Sequence, residues 1–144
     1  MYTLDASVWV NACDQRKAGH EQSRQLITLL REHDIAVVLP TLALPEIAGS
    51  VGRTRASVFG ATYARSVMAQ RNIELVNLSA GLARQAMLLA AAQQLRGADA
   101  VYAAVAQRRQ TTLVSRDGEQ LKRLATLLNV QTPEQVLASL TARA

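Results

Sequence analysis

Aromatic residues are scarce: Tyr2, Trp9, Phe59, Tyr63 and Tyr102 make up 3% of the 144 residues. So few rings exclude the stacking platforms by which many proteins hold unpaired bases. The core must instead come from Leu, Val, Ile and Ala, and small Ala side chains let helices approach closely. Cysteine is limited to Cys13, which excludes an internal disulfide and a Cys-cluster metal site. The histidines, His20 and His33, lack zinc-type spacing. The apolar run Ala86–Ala92 is far too short to span a bilayer, and no charged-then-apolar leader begins the chain. A soluble, cytoplasmic protein with no membrane association is expected. Acids are also few, 11 against 16 Lys and Arg, for a net charge of +5. Arg supplies 14 of those 16 cations, and its planar fork suits phosphate and carboxylate.

Hydrophobic residues at 49% and charged residues at 19% are those of a folded globular chain, of a length suited to one domain, residues 1–144. Strand-like and helix-like segments alternate along it. Tyr2–Asp5, Ile35–Leu39, Ile73–Leu78 and Thr111–Ser115 read as strands, with Leu128–Gln131 a short edge strand. The uninterrupted run Ile35–Leu39 marks a strand buried on both faces, stopped by Pro40 and Thr41. Helices are expected over Ala6–Cys13, Glu21–Arg31, Leu42–Val51, Ala56–Arg71, Ser79 to about Gln94, and Ala98–Arg108. Two more follow Asp117, ending at Leu127, and Thr132. Pro45 fits only the first turn of its helix. Asp117 with Gln120, and Thr132 with Pro133 and Gln135, have the spacing of capping boxes. This alternation predicts an α/β fold, a parallel sheet with helices on both faces.

The placement of the acids is the informative feature. Asp5 closes the first strand and Asp117 lies just past the fourth. Glu46 follows Pro45 in a first helical turn, and Asp99 sits in the first turn after Gly97. In a parallel sheet, strand C-termini and the helix N-termini that follow them share one edge, where ligands bind. Acids distant in sequence then converge. Crowded carboxylates repel one another, and Mg²⁺ or Mn²⁺, which prefer oxygen ligands, would offset that repulsion. The pattern points to metal-assisted hydrolysis of a phosphodiester. Three of the acids also have a plainer reading: Asp117 as an N-cap, Asp99 as a first-turn acid serving the helix dipole, Glu46 as a solvated residue; Asp5, after a short strand and before an apolar run, is expected to be partly buried and to need a partner. A phosphatase forming an aspartyl-phosphate would want a second Asp where Ser7 stands.

Leu4–Ala12 (LDASVWVNA), Leu39–Val51 (LPTLALPEIAGSV), Leu95–Ala106 (LRGADAVYAAVA) and Thr112–Arg123 (TLVSRDGEQLKR) together resemble the four acidic blocks of PIN-domain ribonucleases, most of all the VapC-type toxins of bacterial toxin–antitoxin pairs. The resemblance implies a three-layer α/β/α sandwich with strand order 3-2-1-4-5. It also implies a Mg²⁺- or Mn²⁺-dependent endoribonuclease partnered by an antitoxin protein and commonly homodimeric. Asp5, Glu46 and Asp99 match the three most regular acids of that family, and Asp117 the more variable fourth, whose role Glu119 could share. As catalytic metal ligands, Asp5 and Asp99 would act directly, and Glu46 and Asp117 through water or a second ion. Ser7 and Ser115 match hydroxyl residues that would orient these acids. Arg53, Arg55, Arg96 and Arg116 lie nearest the acidic blocks and are the candidate RNA contacts. A PIN nuclease of RNA processing or decay outside a toxin pair, and a PIN-like module that binds without cutting, remain the alternatives.

Overall fold

Val37, Val38, Leu39 and Pro40 are all buried, as a strand covered on both faces must be. They form β2 (Val37–Pro40) of the computed structural model, which describes residues 1–142. The other strands are β1 (Tyr2–Leu4), β3 (Ile73–Val76), β4 (Thr112–Val114) and β5 (Val130–Gln131). All pair in parallel in the order β3-β2-β1-β4-β5, the order that the resemblance implies. In register, Tyr2 lies opposite both Val37 and Thr112. The strand stops at this point as expected, but Pro40 itself is the last residue of β2, opposite Val76.

Helices α1 (Ala6–Ala12), α2 (His20–Glu32), α3 (Ala43–Thr54), α4 (Ser57–Met68), α5 (Ala80–Gln93), α6 (Gly97–Arg109), α7 (Gly118–Leu124) and α8 (Pro133–Thr141) complete the fold. The pleat divides the core, because successive side chains of a strand point to opposite faces. Val38 packs with Leu82 and Ala86 of α5 and Ala100, Val101, Ala104 and Val105 of α6. Val37 and Leu39 belong to the larger cluster with Trp9, Leu26, Leu30 and Ile47. The result is an α/β/α sandwich.

Helix α6, expected over Ala98–Arg108, is buried on more than the one strongly apolar face that its sequence shows. Every residue from Ala100 to Ala106 is buried, and the helix packs against α5 and against β1, β2 and β4. A helix apolar all round must be buried all round, and its alanines make room for that. Helices α3 and α4 also pack closely. A Cβ on Gly60 would lie 2.3 Å from the Ala48 carbonyl oxygen, so only glycine fits there without displacing a helix.

The caps are only partly as expected. Thr132 and Gln135 form the full reciprocal box, with Pro133 at the start of α8. Asp117 caps α7 through Glu119 N–H and Gln120 N–H. Gln120, however, does not reach back: its side chain turns into the interior, where neither amide atom finds a partner among the described residues. Helix α7 ends at Leu124, three residues before the expected Leu127. Among the described residues, no helix is long and apolar enough to cross a membrane.

Candidate active site

Asp5 stands where β1 becomes α1. Its N–H still bonds the Val114 carbonyl, as in a strand, while its carboxylate turns to cap α1, Oδ2 accepting from Ser7 N–H at 3.0 Å. Ser115, just past β4, donates its hydroxyl to the same oxygen at 3.4 Å. The residue is 7% exposed. Burial pushes the Asp5 carboxyl above the usual aspartate range; the Ser7 and Ser115 hydrogen bonds oppose the shift and the charge of Asp99 adds to it.

Glu46, in the first turn of α3, reaches the same place from β2. The Tyr102 hydroxyl donates to its Oε2 at 2.6 Å. Burial again raises the carboxyl pKa, resisted by that hydrogen bond and reinforced by Asp5 and Asp99; Arg96 pulls it down. Tyr102 is fully buried on α6, one turn after Asp99. Burial and then Glu46 push its phenol far above the ordinary tyrosine range, so it remains a donor.

Arg96 is the N-cap residue of α6. Its Nε donates to Asp99 Oδ2 at 3.1 Å and its Nη2 to Asp117 Oδ2 at 2.6 Å. Asp117 thus divides its oxygens: Oδ1 caps α7 and Oδ2 faces the arginine. Ser115 links this acid to Asp5, because its Oγ also accepts the Asp117 N–H at 3.0 Å. Ser7 accepts the Arg116 N–H at 3.0 Å and lies 3.4 Å from the Ser115 hydroxyl. The two serines therefore stitch the ends of β1 and β4 together beneath the acids.

One cavity of about 690 Å³ is lined by Asp5, Ser7, Glu46, Asp99 and Asp117, with Arg96 and Arg116 beside them. All four acids expected to converge do so. Glu119 does not line this cavity; it lines a smaller neighbouring one, which Asp99 and Asp117 also border, and lies 3.8 Å from Arg123. The arginines diverge in role. Arg116, expected to face RNA, has its side chain only 18% exposed and its donors engaged by Ser23 Oγ, Glu134 Oε1 and the Gly19 carbonyl. It ties α2 and α8 to the end of β4, each of its three side-chain nitrogens already having a protein partner. Arg55 donates to the Cys13 carbonyl and lies over the Phe59 ring. Arg53 is exposed at the end of α3, bonded to Ser50 Oγ at 3.3 Å, and Ser50 lines the large cavity.

Among the described residues, no three His, Cys, Asp or Glu side chains are grouped to grip a cation unaided. Magnesium does not require that: one or two carboxylates, waters and a substrate phosphate suffice. The donor set of hard carboxylate oxygens suits such an ion, and so do the mutual repulsion of Asp5, Glu46 and Asp99 and the guanidinium already standing among the acids. Tyr102 and Lys17, which lines the cavity from the α1–α2 loop, were not legible as site residues. The signal for Tyr102 is its i+3 spacing from Asp99, which puts both on one face of α6.

A parallel α/β sandwich whose acids meet at the C-terminal edge of its sheet defines a class of acidic-cleft domain. The sequence profile of the PIN domain matches residues 2–127, and the chain belongs to that family. No curated protein sequence matches it. In fold it is similar to the *Mycobacterium tuberculosis* toxin VapC20, described as cleaving the sarcin–ricin loop, at 17% identity and a TM-score of 0.75 over 90% of this chain and 98% of that one. FitAcB from *Neisseria gonorrhoeae* matches at 19% identity, TM-score 0.67, over 93% and 99%. A toxin–antitoxin complex from *Klebsiella pneumoniae* matches at 19%, TM-score 0.67, over 92% and 98%.

Proposed function

We propose that the chain is a Mg²⁺- or Mn²⁺-dependent endoribonuclease and the toxin of a cytoplasmic toxin–antitoxin pair. The observation that carries this reading is the convergence of Asp5, Glu46, Asp99 and Asp117 on one cavity in a protein of net charge +5. Asp5 and Asp99 would hold the ion directly, and Glu46 and Asp117 through water or a second ion. When bound, the ion supplies neutralisation of charge at the scissile phosphate and lowers the pKa of water beside it.

The chain's own groups do the rest. Ser7 and Ser115 fix the Asp5 carboxylate, and Tyr102 fixes Glu46, so the acids are oriented before any substrate arrives. Arg53, at the cavity rim, contributes a sequence-independent phosphate contact, with Arg55 beside it. Attack by water, with the RNA 2′-hydroxyl uninvolved, leaves 5′-phosphate and 3′-hydroxyl ends.

The partner reading rests on fold neighbours described as toxin–antitoxin complexes. A homodimer is supported by α5, whose outer face exposes Met87 and Leu88.

The test is cleavage of a structured RNA by purified protein. Cleavage with Mg²⁺ or Mn²⁺, none in EDTA, and near-complete loss in Asp5→Ala and Glu46→Ala are expected. RNA binding without cleavage under either ion would favour the non-catalytic module. Cleavage with no antitoxin partner, sought by co-expression with the product of an adjacent short gene, would leave a nuclease of RNA processing or decay.

A further inference from the structure

We propose that Arg96 is the site's own removable cation: it bridges Asp99 and Asp117 in the resting protein, leaves them when a divalent ion binds, and then holds a phosphate of the RNA strand. The inference rests on the nuclease reading and adds a residue with two successive partners.

Two independent observations carry it. The first is the ion-pair geometry. The Arg96 guanidinium spans Asp99 and Asp117, two acids of the proposed ion site, and its charge also acts on Glu46. It therefore competes for oxygens that a bound cation needs. The side chain is 76% exposed, and among the described residues it donates to these two acids alone. The Asp99 and Asp117 side chains are only 16% and 28% exposed, so the guanidinium holds two largely buried charges from the solvent side; its own solvation weakens the pairs, and a bound divalent ion replaces the charge the acids lose on its release. Its backbone is fixed at the start of α6, so the freed fork stays at the cavity mouth.

The second observation is the shape of the surface. The large cavity and its neighbour of about 360 Å³ share three lining residues, Arg96, Asp99 and Asp117. The bridge is the partition between them. When Arg96 leaves the acids, the two hollows join into one cleft across the acidic edge. A polynucleotide, with nucleotides on both sides of the cleaved bond, is the ligand that needs such a cleft. Arg123, which lines the smaller hollow, supplies a second cation along that path.

The experiment compares wild-type protein with Arg96→Gln and Arg96→Lys. Mn²⁺ affinity, measured by calorimetry without RNA, is expected to rise about fivefold in Arg96→Gln, because the guanidinium no longer competes for the Asp99 and Asp117 carboxylates. Arg96→Lys, which keeps the charge but not the fork, should fall between. Binding of a single-stranded RNA oligonucleotide is then followed against salt, in EDTA and in Ca²⁺, with the strand checked for integrity. In Ca²⁺, Arg96→Gln should lower the slope of log affinity against log salt by about 0.7, one phosphate contact on a single strand. In EDTA, where the acids occupy Arg96, the slope should not change. A purely structural ion pair would give weaker Mn²⁺ binding and equal slopes in both conditions, and that result overturns the proposal. Wild-type protein that binds neither Mn²⁺ nor RNA overturns the nuclease reading itself, and the proposal with it.

Discussion

At Asp117 one carboxylate oxygen caps a helix and the other faces Arg96, so the N-cap reading of that acid holds and its second oxygen is turned toward the cavity. Asp5 is the same kind of residue: a helix cap that is also buried beside other acids. Its raised pKa has a consequence for stability. The folded protein holds the Asp5 proton more tightly than the unfolded chain does. Stability from this group is therefore full below the unfolded value near 3.8 and is lost as pH rises through that value to the folded one. The penalty therefore grows as pH rises from acid toward neutrality. Asp5→Asn in metal-free buffer should thus melt at or above the wild-type temperature at neutral pH, with the difference shrinking in acid; marked destabilisation at neutral pH would contradict the repulsion. Tyr102→Phe removes the donor from Glu46 without emptying the core. Loss of such an orienting hydrogen bond typically costs about 10- to 100-fold in metal affinity or activity, so Mn²⁺ calorimetry and cleavage rates should fall together while the fold persists. Tyr102 was hidden in the sequence because a tyrosine amid alanines reads as core. Asp5, Glu46 and Asp99 were legible because each follows a strand end or opens a helix.

Among the elements, those with strong local signals were legible: the apolar run of β2, the Ser79 cap of α5, and the Thr132–Pro133–Gln135 start of α8. Those settled by tertiary packing were not. The burial of α6 on all sides depends on what the sheet and α5 place around it, and the early end of α7 and the inward turn of Gln120 leave no trace in spacing. The role of Arg116 was likewise hidden, since its partners Gly19, Ser23 and Glu134 come from distant segments. The contact of α3 with α4 gives a prediction at this scale. Gly60→Ala places a methyl group against the Ala48 carbonyl, and overpacking of this kind costs about 1–3 kcal/mol. Chemical denaturation should show a lower midpoint with little change in slope. An unchanged midpoint would mean that the two helices separate freely.

Over the whole molecule, the parallel topology is what brings scattered acids to one cavity, because it carries the ends of β1, β2 and β4 to one edge. The sheet order was legible only through the resemblance to PIN domains, since alternation of strands and helices alone allows several orders. The outer face of α5 concerns assembly. If Met87 and Leu88 sit in a homodimer contact, Met87→Glu combined with Leu88→Glu should halve the mass seen by sedimentation equilibrium at micromolar concentration and leave the monomer folded; a wild-type monomer would remove that contact from the account. The central claim is that the acids form one cation-binding centre, and thermal melting against added Mn²⁺ tests it most directly. A ligand at about 100 times its dissociation constant stabilises the native state by about 2.7 kcal/mol, which for a chain of this length is a rise of about 8 °C. The account predicts that rise in the wild-type protein and its near-absence in Asp99→Asn. No rise in the wild type, or an equal rise in Asp99→Asn, would contradict it.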